Sequence, residues 1–158
     1  MNMAKFQIMV FEIDDNSYGV DIKNINGIVK AKNYKIIPLP NYSEFIKGIT
    51  NVRGKVYPVI SMRKKFGFEE IPINSDTKFV LIKVADKELA IIVDEVTDIL
   101  KLDDKDIISA SYLNKDNEYI AFIVKLEEAL VVGLNMVKIF DSQEILNIDI
   151  QGSLEEGV

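Results

Sequence analysis

The segment Phe45–Phe66, FIKGITNVRGKVYPVISMRKKF, holds the residues whose types and spacing most clearly carry chemistry. At its centre is Arg53-Gly54. A guanidinium offers five donors in a fixed planar fork, suited to a carboxylate or to backbone carbonyls of a partner. Gly54 supplies the permissive backbone that a sharp reversal needs, so the arginine stands at a hairpin tip. By default an arginine there is a solvated turn residue, and recognition is the alternative. The β-branched residues on either side predict strands over Ile49–Val52 and Lys55–Ile60. Pro58 lacks a backbone donor and predicts an edge or a bulge. Gly48, just ahead of the first strand, has no room for a side chain. A short basic helix is expected over Met62–Phe66.

Other chemistries are excluded by composition. The 158 residues contain no cysteine and no histidine. Disulfides, thiolate catalysis, histidine-dependent triads, most zinc sites and phosphohistidine relay are therefore unavailable. Absence of cysteine fits a reducing cytoplasm. No phosphate loop or dinucleotide fingerprint occurs, and no cofactor or metal is expected. Asp94, Glu95 and Asp98 look like strand-end and surface charges, with nothing to set two of them as an acid/base pair. A β-barrel enzyme using carboxylates is the one catalytic alternative. The start, Met1 to Phe6, has no signal-peptide pattern, and apolar runs such as Leu89–Val93 fall far short of a membrane span. A soluble protein without direct membrane insertion is expected.

Charge is unevenly spread. Residues 1–74 carry 11 Lys/Arg and 7 Asp/Glu (+4), and residues 75–158 carry 8 and 18 (−10), giving the net −6. The basic cluster could suit nucleic acid, but overall acidity and the lack of interleaved aromatics oppose that. Two solvated faces, or complementarity between opposite ends of neighbouring modules, are the remaining explanations. No long apolar helix face or heptad is visible, so the isolated protein should be largely monomeric.

These residues must be positioned by a mostly β framework. Further strands are expected at Lys5–Ile13, Ser17–Asp21, Lys30–Ile37, Lys78–Val84, Glu88–Val93, Val96–Leu102, Tyr119–Lys125 and Leu130–Leu134. Short helices are expected at Met136–Phe140 and Ser142–Leu146, and a loop at Asn114–Glu118. A weak internal repeat runs through them. Lys5-Phe6 corresponds to Lys78-Phe79 and Val20-Asp21 to Val93-Asp94, 73 positions on, and Met62-x-Lys64-x-Phe66 to Met136-x-Lys138-x-Phe140, 74 positions on. In that register Arg53-Gly54 falls against Glu127-Glu128. Two copies of a five-strand unit with tight turns favour small closed barrels, which hide their edges.

The Phe45–Phe66 segment also resembles the signature of the CheW family, the adaptors of bacterial chemotaxis. The matching residues are Phe45, Ile46, Lys47 and Gly48, then Asn51, Arg53 and Gly54, then Pro58, Arg63 and Phe66. Tyr18-Gly19-Val20-Asp21-Ile22 and Ile91-Ile92-Val93-Asp94-Glu95-Val96 match elsewhere, so the resemblance covers about Phe6 to Phe140. The chain departs from the family at Gly27, Val29, Ser61 and Phe122, where an acidic residue, a polar residue, aspartate and glycine are common.

The resemblance implies two small five-stranded SH3-type β-barrels packed around a shared hydrophobic core. One domain over 1–150 is expected, with subdomains of about 14–75 and 76–140 and a flexible tail over 151–158. The N-terminal strand and C-terminal helix are candidates to cross over. It also implies a non-catalytic adaptor joining the cytoplasmic tips of chemoreceptors to the regulatory domain of the histidine kinase CheA. Such a protein is cytoplasmic and is recruited to membrane-bound receptor arrays. Receptor contacts are implied at Arg53, Gly54, Ile25 and Ile28, although the two isoleucines fit ordinary core equally well. Kinase contacts are implied at Pro40, Phe45, Ile46 and Gly48. An excised regulatory domain of a CheA kinase and the adaptor part of a CheV-type protein share the fold and stay open as alternatives.

Overall fold

The computed structural model describes residues 6–40, 42–108, 113 and 118–140. Eleven strands form among them: β1 (Phe6–Ile13), β2 (Asn16–Asp21), β3 (Ile25–Lys30), β4 (Ile46–Val52), β5 (Lys55–Ser61), β6 (Lys78–Val84), β7 (Lys87–Val93), β8 (Glu95–Leu102), β9 (Ile107–Ile108), β10 (Ile120–Leu126) and β11 (Ala129–Leu134). Two four-residue helices, α1 (Met62–Lys65) and α2 (Met136–Ile139), follow β5 and β11. Among the described residues no helix is long and apolar enough to cross a membrane.

The strands make two sheets, ordered β8-β1-β2-β11-β10-β9 and β3-β6-β7-β5-β4. Each contains one parallel pairing, β2 with β11 and β5 with β7. The sequence repeat is visible in this layout. An edge strand, a hairpin, a parallel step and a second hairpin recur in the same order, with the two-residue β9 added to one sheet. Even the helix caps correspond: Ser61 accepts from the Lys64 N–H at 3.2 Å, and Asn135 from the Lys138 N–H at 3.2 Å. A capping serine in place of the family's usual aspartate is chemically equivalent there.

The sheets do not divide the chain at residues 75/76 as expected. Hairpin β1–β2 belongs with β8–β11, and hairpin β6–β7 with β3–β5. The repeat copies exchange their first hairpins. The chain therefore crosses between barrels twice, at Asp21–Ile25 and at Val93–Glu95. Burial explains the exchange. In β1, Ile8 and Val10 face the core of one barrel, while Met9, Phe11 and Ile13 face a larger inter-barrel cluster. In β6, Phe79 and Leu81 face the other barrel's core, and Val80, Ile82 and Val84 join the same inter-barrel cluster. Strands buried on both faces read as near-continuous apolar runs, which β1 and β6 are. Each fully buried aliphatic or aromatic side chain contributes about 1.5–3 kcal/mol, so this shared layer fixes the architecture.

Four local expectations change. The third strand is Ile25–Lys30; of the expected Lys30–Ile37 strand, Lys30 closes β3 opposite Lys78 and beyond it only Ile37 bridges to a neighbour, Ile49. The fourth begins at Ile46, with a register shift between Ile46 and Gly48, so Gly48 lies inside it. Pro58 is on an inner strand, opposite Ile49, and is neither on an edge strand nor at a register shift. The parallel ladder to β7 starts one residue later, at Val59, so the missing donor costs nothing. Strand β7 begins at Lys87, one residue before the expected Glu88, after a turn in which Ala85 has φ 55°. The expected helix at 142–146, the tail at 151–158 and most of the loop at 114–118 lie outside the described residues.

Candidate functional site

Arg53 and Gly54 form the turn between β4 and β5, with φ of 55° and 89°. Positive φ at both central residues matches the twist of a two-residue hairpin turn. Asn51 braces it, its Oδ1 accepting from the Gly54 N–H at 2.8 Å. The asparagine of the N-x-R-G motif thus shapes the turn that presents the arginine. Arg53 is exposed, and no described residue hydrogen-bonds to it or forms an ion pair with it. Its positive φ is what the two-residue turn requires, and its guanidinium is left to solvent.

Lys55, two residues on, is different. Its ammonium pairs with Glu88 of β7 and lies 5.8 Å from the centre of the Tyr57 ring. The hydrogen bond to Glu88 raises its pKa. Glu88 also accepts from the Asn26 side chain of β3 at 3.1 Å. The start of β3 and the Arg53 turn are therefore tied to one end of the same sheet.

Asn26 is the extra residue of a bulge in β3. The bulge puts Ile25 and Ile28, three apart in sequence, on the same face. Ile25 stands opposite Ile82 and Ile28 opposite Val80, and both partners belong to the inter-barrel cluster. Cross-strand partners share a face. Ile25 packs against that cluster, whereas Ile28 is 40% exposed at its margin. The sequence reading missed a third member. Ile99 of β8, opposite Met9, faces the inter-barrel side from the edge strand of the other barrel and is 52% exposed. Its signal was present in the repeat, because Ile99 lies 74 positions beyond Ile25.

The residues implied for kinase contact are less uniform. Pro40 is exposed and Phe45 is half-buried, its ring 4.5 Å from the Lys65 ammonium. Ile46 is 6% exposed and belongs to the inter-barrel core. Gly48 has φ 143°, and a Cβ there would lie 2.0 Å from the Ile37 carbonyl oxygen. Ile46 and Gly48 shape the strand, and the accessible surface beside them comes from Pro40 and from Ile37, which is 52% exposed. Asp94 is not a bare surface charge, since Arg63 grips it with three hydrogen bonds.

The CheW-like domain family matches residues 7–144, nearly the whole described chain. The chain belongs to the CheW-like family. It is 32% identical over 140 residues to the chemotaxis protein CheW of Helicobacter pylori, covering 87% of this chain and 83% of that one. To the chemotaxis protein CheW of Treponema pallidum it is 28% identical over 151 residues, covering 92% and 88%. The fold is similar to the crystal structure of the scaffolding protein TtCheW from Thermoanaerobacter tengcongensis. The TM-score is 0.79 at 26% identity, over 89% of this chain and 96% of that one. The two SH3-like barrels expected from the CheW resemblance are the observed architecture.

Proposed function

We propose that this chain is a non-catalytic adaptor of bacterial chemotaxis that couples chemoreceptors to the histidine kinase CheA. The observation that carries this reading is Arg53, presented at a braced turn without an internal partner. The apolar inter-barrel face formed by Ile25, Ile28 and Ile99 adds to it. An apolar stripe accepts the hydrophobic face of a receptor helix, and a guanidinium donates to its carboxylates or free carbonyls. The kinase regulatory domain engages a separate surface, around Pro40 and the start of β4. Separate faces let one protein bind both partners at once. Receptor control then requires only that the contacts differ in energy between signalling states, typically by ~1–3 kcal/mol. The protein works in the cytoplasm and reaches the membrane through the receptors.

Arg53→Glu tests the assignment. The substitution leaves folding stability within about 0.5 kcal/mol, as for other exposed positions. Loss of a desolvated charge-assisted contact costs roughly 2–5 kcal/mol of receptor affinity. Capture by a receptor cytoplasmic fragment therefore falls steeply, while capture by CheA persists. Lys55 is unsuitable as the charge-matched control because it is ion-paired. The exposed, unpaired Lys32 serves instead, and Lys32→Glu retains receptor binding. A folded Arg53→Glu variant with full receptor affinity places the receptor face elsewhere.

A further inference from the structure

The two crossovers between barrels occupy equivalent places in the repeat, yet their side chains treat them in opposite ways. At Val93–Glu95, Arg63 Nε donates to Asp94 Oδ1 at 2.9 Å and to Oδ2 at 3.2 Å, and Nη2 donates to Oδ2 at 2.7 Å. Arg63 Nη1 donates to the Glu69 carbonyl at 2.8 Å and lies 3.4 Å from Asp14 Oδ1. The Asp14 N–H donates to Asp94 Oδ2 at 2.8 Å, and the Asp94 N–H to the Glu12 carbonyl at 2.9 Å. The Arg63 and Asp94 side chains are only 14% and 20% exposed. Arg63, in α1, follows β5 of one barrel, whereas Asp14 is in the hairpin turn of the other. The knot therefore binds the barrels to each other.

At Asp21–Ile25 no such tie exists among the described residues. Asp21 accepts from the Lys23 N–H at 2.9 Å, and its only described ionic neighbour is Lys23 itself, 3.8 Å away and 81% exposed. The position equivalent to Arg63 is Val137, which is exposed. The layer between the barrels has a matching property. Met9, Met62 and Met136 all lie in the inter-barrel cluster, and neither single-barrel core contains a methionine. The three sit among ten Val and Ile side chains of that cluster. Methionine is unbranched and adapts to altered packing, so these three positions are where an otherwise β-branched layer can yield.

We propose that the Arg63–Asp94–Asp14 knot is a pivot about which the two barrels rock, with the motion taken up at the Asp21–Ile25 crossover. Arg63 suits this role because its rigid fork reaches two carboxylates and a carbonyl at once in fixed directions, which a lysine ammonium does not. Ile25 begins where the untied crossover ends, so rocking shifts the apolar face relative to the knot. The pivot is a property of the isolated chain and does not depend on which partner the apolar face takes.

The chain has no cysteine, so spin labels can be placed at single sites. Lys83→Cys on β6 and Lys125→Cys on β10, both exposed, report the distance between barrels. With Arg63→Met the inter-barrel distance distribution broadens to about twice its width, and amide exchange at Asp14 and Asp94 speeds about tenfold. With Lys23→Met both readouts stay at the parent values. Asp94→Asn, which keeps an acceptor for the Asp14 N–H, gives a smaller broadening and covers the case in which Arg63→Met does not fold. An unchanged distribution in whichever of these two variants folds overturns the pivot, as does equal broadening with Lys23→Met.

Discussion

The hairpin at Arg53-Gly54 was legible at the residue scale because its turn type follows from two adjacent residues. Gly54 permits the reversal, the flanking residues favour strands, and the structure puts the turn where they meet. Lys55 was not legible. Its partner Glu88 lies 33 positions away on a strand that pairs in parallel with β5, and nothing local announces that pairing. Gly48 was half legible: the lack of room was foreseen, but not its position inside the strand. That position separates structure from recognition. Gly48→Ala must accommodate a methyl group 2.0 Å from a backbone oxygen at φ 143°, so either the strand moves or the turn before it unfolds. The expected loss is about 3 kcal/mol or more, measured by urea denaturation. A loss below about 0.5 kcal/mol would show that β4 relaxes freely there. Loss of kinase binding in a Gly48 variant therefore reports on folding before it reports on contact.

At the scale of elements the repeat could be read from matched residue pairs and the N-terminal strand was a candidate to cross over, but the reciprocal exchange of two whole hairpins could not be read. An offset of 73 or 74 shows which segments are alike but not which copy each will pair with. That choice is made by burial of both faces of β1 and β6, a tertiary property. The third strand was misplaced because Lys30–Ile37 has strand-like composition, yet its first residues turn in a short 3-10 helix at Ala31–Asn33. Phe122, a departure from the family, is explained by its neighbour. It stands opposite Gly133, and a Cβ on Gly133 would lie 2.3 Å from its ring. The ring covers the bare glycine backbone and meets Phe6 edge-on at 5.5 Å between centroids. Such coverage repairs the weakness of glycine in a strand. Gly133→Ala alone should destabilise by roughly 1–3 kcal/mol through overpacking, and Phe122→Ala alone by about 3 kcal/mol. The double variant should lose less than the sum by about 1 kcal/mol or more, measured as a thermal or urea double-mutant cycle. Simple additivity would mean that the two residues do not pack as a unit.

For the whole molecule, hairpin exchange sorts charge more sharply than the linear sequence does. Among the described residues, 22–93 hold 13 Lys/Arg and 6 Asp/Glu, a balance of +7, and the other barrel holds 4 and 13, a balance of −9. Dividing the same described residues at 74/75 gives only +3 (10 Lys/Arg, 7 Asp/Glu) and −5 (7 and 12). Opposed barrels of this kind suit end-to-end contact with a related barrel pair, and the attraction acts within about 10 Å at 0.1 M salt. An adaptor adds no chemistry of its own. On the proposed reading it makes one partner's state felt by the other, which would need both barrels and not Arg53 alone. The most direct measurement combines CheA, a chemoreceptor cytoplasmic assembly and this chain, and follows kinase autophosphorylation with and without receptor ligand. The predicted result is ligand-sensitive kinase activity that appears only when the chain is added and is lost with Arg53→Glu. Ligand control that is equal with and without the chain, or a chain that binds neither partner, would contradict it.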